Sequence, residues 1–327
     1  MSSLGHVGGV TDPGRRRRRN EDAYVVEPPL FAVADGMGGA QAGEVASRLA
    51  AAALKEGGAG EGGEQRIVAL IQEANRRIYD RSNRDPSASG MGTTMTVALV
   101  EDGQVAFGHV GDSRAYLIRE GAMEQLTEDH SLVAELMRSG KLSPEEAETH
   151  PQRSVITRAL GTDPDVDVDT FTIAAQTGDV FLLCSDGLTT MVSNGAILDL
   201  VERCRGDMDK ALRALVQAAN KGGGEDNITV VAFEIAAEPL ARDGETREYV
   251  FEGATPDEED TLTEADAVPA VDTAVIPAEE IQAELRATEQ RERAVRRRHL
   301  RRRVLAWLAL LLIVAGIALA LYLRFLR

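Results

Sequence analysis

Two hydrophobic periods alternate along the N-terminal part of the chain. Apolar runs at 23–26 and 30–34 flank a Pro28-Pro29 turn and read as strands, and further strands are expected at 93–100, 104–110, 114–119 and 122–126. Asp102-Gly103 and Glu120-Gly121 punctuate that second group as hairpin dipeptides. Strands return at 166–173, 180–184 and 228–235. A 3.6-residue period instead marks helices at 43–55, 65–81, 131–138, 143–147, 194–203 and 207–221, with a Gly-rich break at 57–63. Strands joined to strands by tight turns pair antiparallel, so the pattern predicts an α+β body and excludes the strict strand-helix alternation of a parallel nucleotide-binding fold.

The pattern stops at about residue 236. Residues 237–290 are crowded with Asp and Glu; their first part mixes Pro, Gly and Thr without apolar periodicity, the composition of a tether, and from Ala278 they become helix-friendly. Residues 291–303 are dominated by Arg, and residues 304–323, VLAWLALLLIVAGIALALYL, carry no charge. About 20 such residues span a bilayer. Trp307 and Tyr322 lie near the two ends, and Arg296, Arg297, Arg298, Arg301, Arg302 and Arg303 outnumber Arg324 and Arg327. The expected organisation is a body at 1–236, an acidic linker at 237–290, a basic juxtamembrane segment at 291–303 and one C-terminal transmembrane helix at 304–323. The arginine bias places the body on the cytoplasmic side of a cytoplasmic (inner) membrane, in a single-pass protein. The basic block lacks interleaved aromatics and abuts the apolar run, so no nucleic-acid partner is expected.

Composition narrows the chemistry. The chain has 327 residues, 43% of them hydrophobic, enough for a substantial core. Its net charge of -17 sums an acid-crowded 237–290, an Arg-rich 291–303 and the body, so it says little about the surface around any one site. Cys184 and Cys204 have neither the spacing of a zinc site nor the number for a disulfide framework.

The candidate chemistry lies in short acidic clusters: Asn20-Glu21-Asp22, Asp35-Gly36-Met37-Gly38-Gly39, Gly111-Asp112-Ser113-Arg114, Ser185-Asp186-Gly187 and Glu225-Asp226-Asn227. Most begin or follow an expected strand, so a sheet could bring their carboxylates to one rim. Hard oxygen ligands gathered in this way suit Mg²⁺ or Mn²⁺.

These clusters occur in order with GRRRRRNED, ADGMGG, GTT at 92–94, HVGDSRAY, LTEDHS, HPQRSVITRALG, LLCSDGL and GGEDNITVV. Together they resemble the protein phosphatase 2C (PPM) family of metal-dependent serine/threonine phosphatases, over nearly all of residues 6–235. The resemblance implies an αββα sandwich, two antiparallel sheets flanked by helices, with two Mn²⁺ or Mg²⁺ ions in a channel at one sheet edge. It implies that Asp35 bridges both ions, that the Gly36 carbonyl binds one and that Asp22 bridges or supports the pair. Asp186 and Asp226 complete the other ion, Glu21 acts through water, and Asp112 with Asp186 can hold a third, weaker ion as in bacterial members. Arg17 matches the guanidinium that holds phosphoryl oxygens, and Asn227 reads as an orienter rather than a ligand.

The implied reaction is hydrolysis of phosphoserine and phosphothreonine on proteins, with water as nucleophile. The expected partners are phosphoproteins, among them a serine/threonine kinase and its substrates, and a membrane; oligomeric state stays open. A non-catalytic signalling scaffold, or a phosphatase for a sigma-factor regulator or a small phosphomonoester, are the alternatives. Met37 replaces the His that some eukaryotic relatives carry as a proposed general acid. His109, His130 and His150 are candidates for that role by motif position alone, and a structural role is the better reading of each. Arg15, Arg16, Arg18 and Arg19 read as a solvated basic face, with a rim that attracts acidic phosphopeptides as the alternative. Residues 132–155 occupy the place of the family's variable flap.

Overall fold

A strand covered on both faces has no polar side, and the unbroken apolar runs in this chain are such strands. The computed structural model describes residues 3–38, 42–57, 62–237 and 249–250. All belong to one unit, Met1–Ile276; a second unit, Pro277–Arg327, lies outside them. In chain order the first elements are β1 (Ser3–Asp12), β2 (Ala23–Glu27), β3 (Leu30–Ala34), β4 (Gly36–Met37), α1 (Ala42–Glu56) and α2 (Gly63–Arg84). They are followed by β5 (Gly92–Thr93), β6 (Met95–Glu101), β7 (Gln104–Val110), β8 (Arg114–Arg119), β9 (Ala122–Gln125), α3 (Leu132–Arg138) and α4 (Pro144–Glu148). The last are β10 (Asp169–Ala174), β11 (Val180–Cys184), α5 (Asp186–Thr189), α6 (Asn194–Arg203), α7 (Met208–Gly222), β12 (Ile228–Ala236) and β13 (Tyr249–Val250).

The strands form a six-stranded sheet, ordered β13-β1-β12-β11-β8-β9, and a five-stranded sheet, ordered β10-β7-β6-β3-β2. Every pairing is antiparallel except β1 with β13. Side chains alternate between two cores on each central strand. In β12, Val231, Phe233 and Ile235 enter the core between the sheets, while Ile228, Val230 and Ala232 face α6 and α7. In β3, Phe31 and Val33 point between the sheets, and Leu30, Ala32 and Ala34 face α1 and α2. The centre of the sandwich is aromatic: Phe233 stacks on Phe31 at 4.2 Å between ring centroids and lies 5.2 Å from Phe181. The αββα expectation therefore holds for the described residues.

The differences from the expected elements have physical reasons. Strand β1 was not foreseen, because Gly5, Gly8 and Gly9 interrupt its pattern; Gly9 is required where the Tyr24 ring crosses the strand, leaving no room for a Cβ. The strand expected from residue 166 begins at Asp169. Upstream, the main chain is held by side chains instead of a ladder, with Gln72 donating to the Val166 carbonyl and Arg158 to that of Asp167. Among the described residues no helix is long and apolar enough to cross a membrane. The segments 291–303 and 304–323 lie wholly outside the described residues, as does most of 237–290.

Phe233 is fully buried. Phe233→Ala should cost ~3–5 kcal/mol in urea unfolding, and the volume-conserving Phe233→Leu much less; equal losses would show that packing at this point is not what joins the sheets.

Candidate metal centre and active site

The strand register brings the acidic clusters to one rim. Ala23 pairs with Ala34, so Asp22 and Asp35 are neighbours at the ends of β2 and β3. Cys184 pairs with both Arg114 and Val230, which places Asp186, Asp112 and Asp226 at the corresponding ends of β11, β8 and β12. All six acids singled out in the sequence, Glu21 included, fall in this region.

Their attachments differ. Asp22 is buried; its Oδ2 accepts from the hydroxyls of Ser185 (2.8 Å) and Thr229 (2.6 Å), while its Oδ1 is buried without a hydrogen-bond partner. The Asp35 main chain is fixed by the GTT segment: its N–H donates to Thr94 Oγ1 at 2.9 Å, and its carbonyl accepts from Thr93 Oγ1 and Thr94 N–H, each at 2.8 Å. Gly36 packs against the carbonyls of Glu21 and Gly43 where no Cβ would fit, so the three backbones approach closely just after Asp35. Asp186 opens α5, and its Oδ1 is also buried and unpartnered.

Asn227 is spent on fastening. Its Oδ1 accepts from Glu21 N–H at 2.8 Å, and its Nδ2 donates to the carbonyls of Pro13 and Arg19, each at 2.9 Å. The N–H groups of Arg15 and Arg16 both donate to the Gly224 carbonyl. The arginine loop is thereby sewn to the loop before β12, and Arg17 reaches Asp226 with an Nη2–Oδ2 distance of 2.8 Å. Arg15, Arg16, Arg18 and Arg19 are exposed. Ser185, Thr229, Thr93 and Thr94 are site residues that sequence reasoning did not assign; the SDG, GGEDNITVV and GTT motifs held them, but their partners are distant in the chain.

The electrostatics are those of crowded carboxyls. Burial, then the charges of Asp226 and Asp186, push Asp22 up to about 7 against its two hydroxyl partners. Burial and Asp226 raise Asp186 to about 6, although a hydrogen bond with Asp35, Arg17 and Arg114 oppose the shift. Asp35 lies well above the usual range through burial and repulsion by Asp22, Asp186, Asp226 and Asp112, as does Asp112 through burial, Asp186 and Asp129. Burial also raises Glu21, with Arg17 opposing. Arg17 loses hydration too, yet Asp226, Asp35 and Glu21 outweigh that and hold it charged.

This donor set fits hard divalent cations. The carboxyls of Asp22, Asp35 and Asp186 are crowded and raised, and one buried oxygen each of Asp22 and Asp186 has no hydrogen-bond partner. No group of three or more His, Cys, Asp or Glu among the described residues closes into a site by side chains alone. Main-chain carbonyls such as that of Gly36 belong among the donors such an ion would take.

An αββα sandwich with a carboxylate rim and an arginine beside it defines a metal-dependent phosphatase. The chain belongs to the protein phosphatase 2C family, whose profile matches residues 15–228. It is 44% identical over 241 residues to the serine/threonine phosphatase stp of Listeria innocua, covering 70% of this chain and 95% of that protein. The crystal structure of the Mycobacterium tuberculosis serine/threonine phosphatase PstP/Ppp superposes with a TM-score of 0.68 at 38% identity, covering 72% of this chain and 100% of that one. A crystal structure of the PstP catalytic domain in complex with two manganese ions gives 0.66 at 36% identity, with coverages of 71% and 99%.

The raised carboxyls set a pH dependence for the metal-free protein. An unfolded Asp titrates near pH 4, so between that value and the folded values of about 7 for Asp22 and about 6 for Asp186 the folded chain holds extra protons. Their contribution to stability is full below about pH 4 and is lost as pH rises through 6 to 7. The melting temperature of EDTA-treated protein should fall by several degrees across that window. Mn²⁺ should remove the fall, and Asp22→Asn should reduce it; a melting temperature that is flat or rising with pH would contradict the crowding.

Proposed function

We propose that this protein hydrolyses phosphoserine and phosphothreonine on proteins at the carboxylate rim, using Mn²⁺ or Mg²⁺. Arg17 carries the reading: its planar cation is paired with Asp226, and Asp35, Glu21 and Asp186 lie within reach of its charge. Asp35, the Gly36 carbonyl, Asp186 and Asp226 are the residues suited to hold two ions, with Glu21 and Asp22 in support. Asp22 has one oxygen committed to Ser185 and Thr229 and one free. Asp112, with Asp186, is suited to a third. Divalent ions bound there supply acidified water and neutralise phosphoryl charge.

The chain's own groups are consistent with water as the nucleophile. The Ser185 hydroxyl is engaged by Asp22, and burial drives the Cys184 thiol up to about 12. Arg17 presents a planar donor pair to the non-bridging oxygens, where phosphoryl transfer responds most to positioning and charge. His109 and His130 turn their Nε2 atoms to the Glu128 carbonyl and the Asp169 carboxylate, which engages both rings, and Met37 is buried against Ile156 and Ala159.

Two finer readings rest on the chain outside the described residues. The apolar run 304–323 behind its arginine block supports a single-pass anchor with the phosphatase body in the cytoplasm. The linker would then hold the body near membrane phosphoproteins, including a membrane serine/threonine kinase and its substrates.

Asp35→Asn and Asp186→Asn should each abolish phosphopeptide hydrolysis in Mn²⁺ buffer without unfolding, and Arg17→Ala should lower kcat about 10²-fold, with Arg17→Lys restoring only part. Full activity in either Asp variant would refute the site; activity on aryl phosphate but not on phosphoserine or phosphothreonine peptides would refute the substrate class. For the anchor, the full chain should resist carbonate extraction from membranes and a chain ending at residue 290 should not. Extraction of both would remove that reading.

A further inference from the structure

Beside the rim lies a polar cluster that the chemistry above does not use. His130 is 4% exposed and grips Gly111 twice. Its main-chain N–H donates to the Gly111 carbonyl at 2.8 Å, and the Gly111 N–H donates to its Nδ1 at 3.0 Å. Gly111 has a φ of +111° and packs against Thr94, so it has neither a side chain nor a common backbone basin to hold it. The two bonds fix the peptide planes on either side of Gly111, and the second of those planes carries Asp112.

The ring is itself locked. Its Nδ1 is taken by the Gly111 N–H, and its Nε2 lies 3.0 Å from both Asp169 Oδ2 and Arg158 Nη1. Arg158 holds the other oxygen, Asp169 Oδ1, at 2.5 Å. His130 also stands at the neck of the segment 132–155. Its carbonyl accepts from Thr157 N–H at 2.8 Å, Ser131 bridges Ile156, and Leu132 N–H donates to the Val155 carbonyl at 2.9 Å.

We propose that His130, braced by Asp169 and Arg158, is a positioning residue that aims the Asp112 carboxylate at a third divalent ion and ties that ion to the flap 132–155. The inference rests on Asp112 being a ligand, as read above. A carboxylate on a free glycine turn would sample several directions and bind a weak ion less well, whereas one held through both flanking peptides is preorganised. Because the same residue forms the flap's neck, an ion that orders Asp112 also orders the flap.

Calorimetric Mn²⁺ titration and amide hydrogen exchange of the full-length protein test this. His130→Ala should weaken the weakest Mn²⁺ site about tenfold, leave the two tighter sites in place, and raise exchange at residues 111–114 and 132–155 together. His130→Asn places an amide oxygen where Nδ1 was and should restore affinity and protection. Asp169→Ala should reproduce the alanine phenotype in part, and serves as the test if His130→Ala fails to fold. Asp112→Ala should delete the weak site. If Asp112→Ala leaves it intact, the ligand reading fails and the proposal with it. If Asp112→Ala deletes it but His130→Ala leaves ion affinity unchanged, or His130→Asn does not rescue, the positioning role alone is overturned.

Discussion

Carboxylates resist being brought together, and most of the architecture around this site manages that resistance. Asp22, Asp35, Asp112 and Asp186 each lose hydration and face one another's charge, and the shifts of all four are upward. Such a group holds its shape only if its backbone cannot relax outward. The two sheets provide that stiffness: every acid lies within two residues of the end of a strand whose apolar residues are packed on both faces, Asp112 in the short turn between β7 and β8. Divalent ions relieve the repulsion, which links metal binding to stability as well as to catalysis.

The polar groups around the acids divide into those that hold carboxylates and those that hold main chain. Ser185 and Thr229 take one oxygen of Asp22 and leave the other free. Asn227, Thr93, Thr94 and His130 hold backbone, fixing the arginine loop, the turn after β3 and the turn before β8. The second group carries no charge into the rim, so it adds rigidity without adding to the repulsion. That fastening sets the Arg17 guanidinium against Asp226.

Much of this was legible before any coordinates. Strands such as Leu30–Ala34, Val180–Cys184 and Ile228–Ala236 declare themselves as apolar runs, and the hairpins at Asp102-Gly103 and Glu120-Gly121 adopt the positive φ their dipeptides suggest. Asn227 was readable as an orienter, and its three hydrogen bonds to backbone show how it orients. Strand β1 was hidden because glycines that make room for Tyr24 and Leu212 carry no hydrophobic signal of their own. The late start of β10 was hidden because side chains of α2 and the Arg158 segment replace ladder bonds upstream.

Periodicity, turn dipeptides and the order of acidic motifs are local properties of a chain, and here they sufficed for the α+β class, the strand-end placement of the acids and the family. Partner choice is not local. Ser185 binds Asp22 across 163 positions and Arg17 binds Asp226 across 209, and no spacing rule joins residues so far apart. The partners of His130, the oxygen of Asp22 left free and the order of strands in each sheet follow from which groups meet once both cores have closed, because such partners and burial exist only in the packed chain.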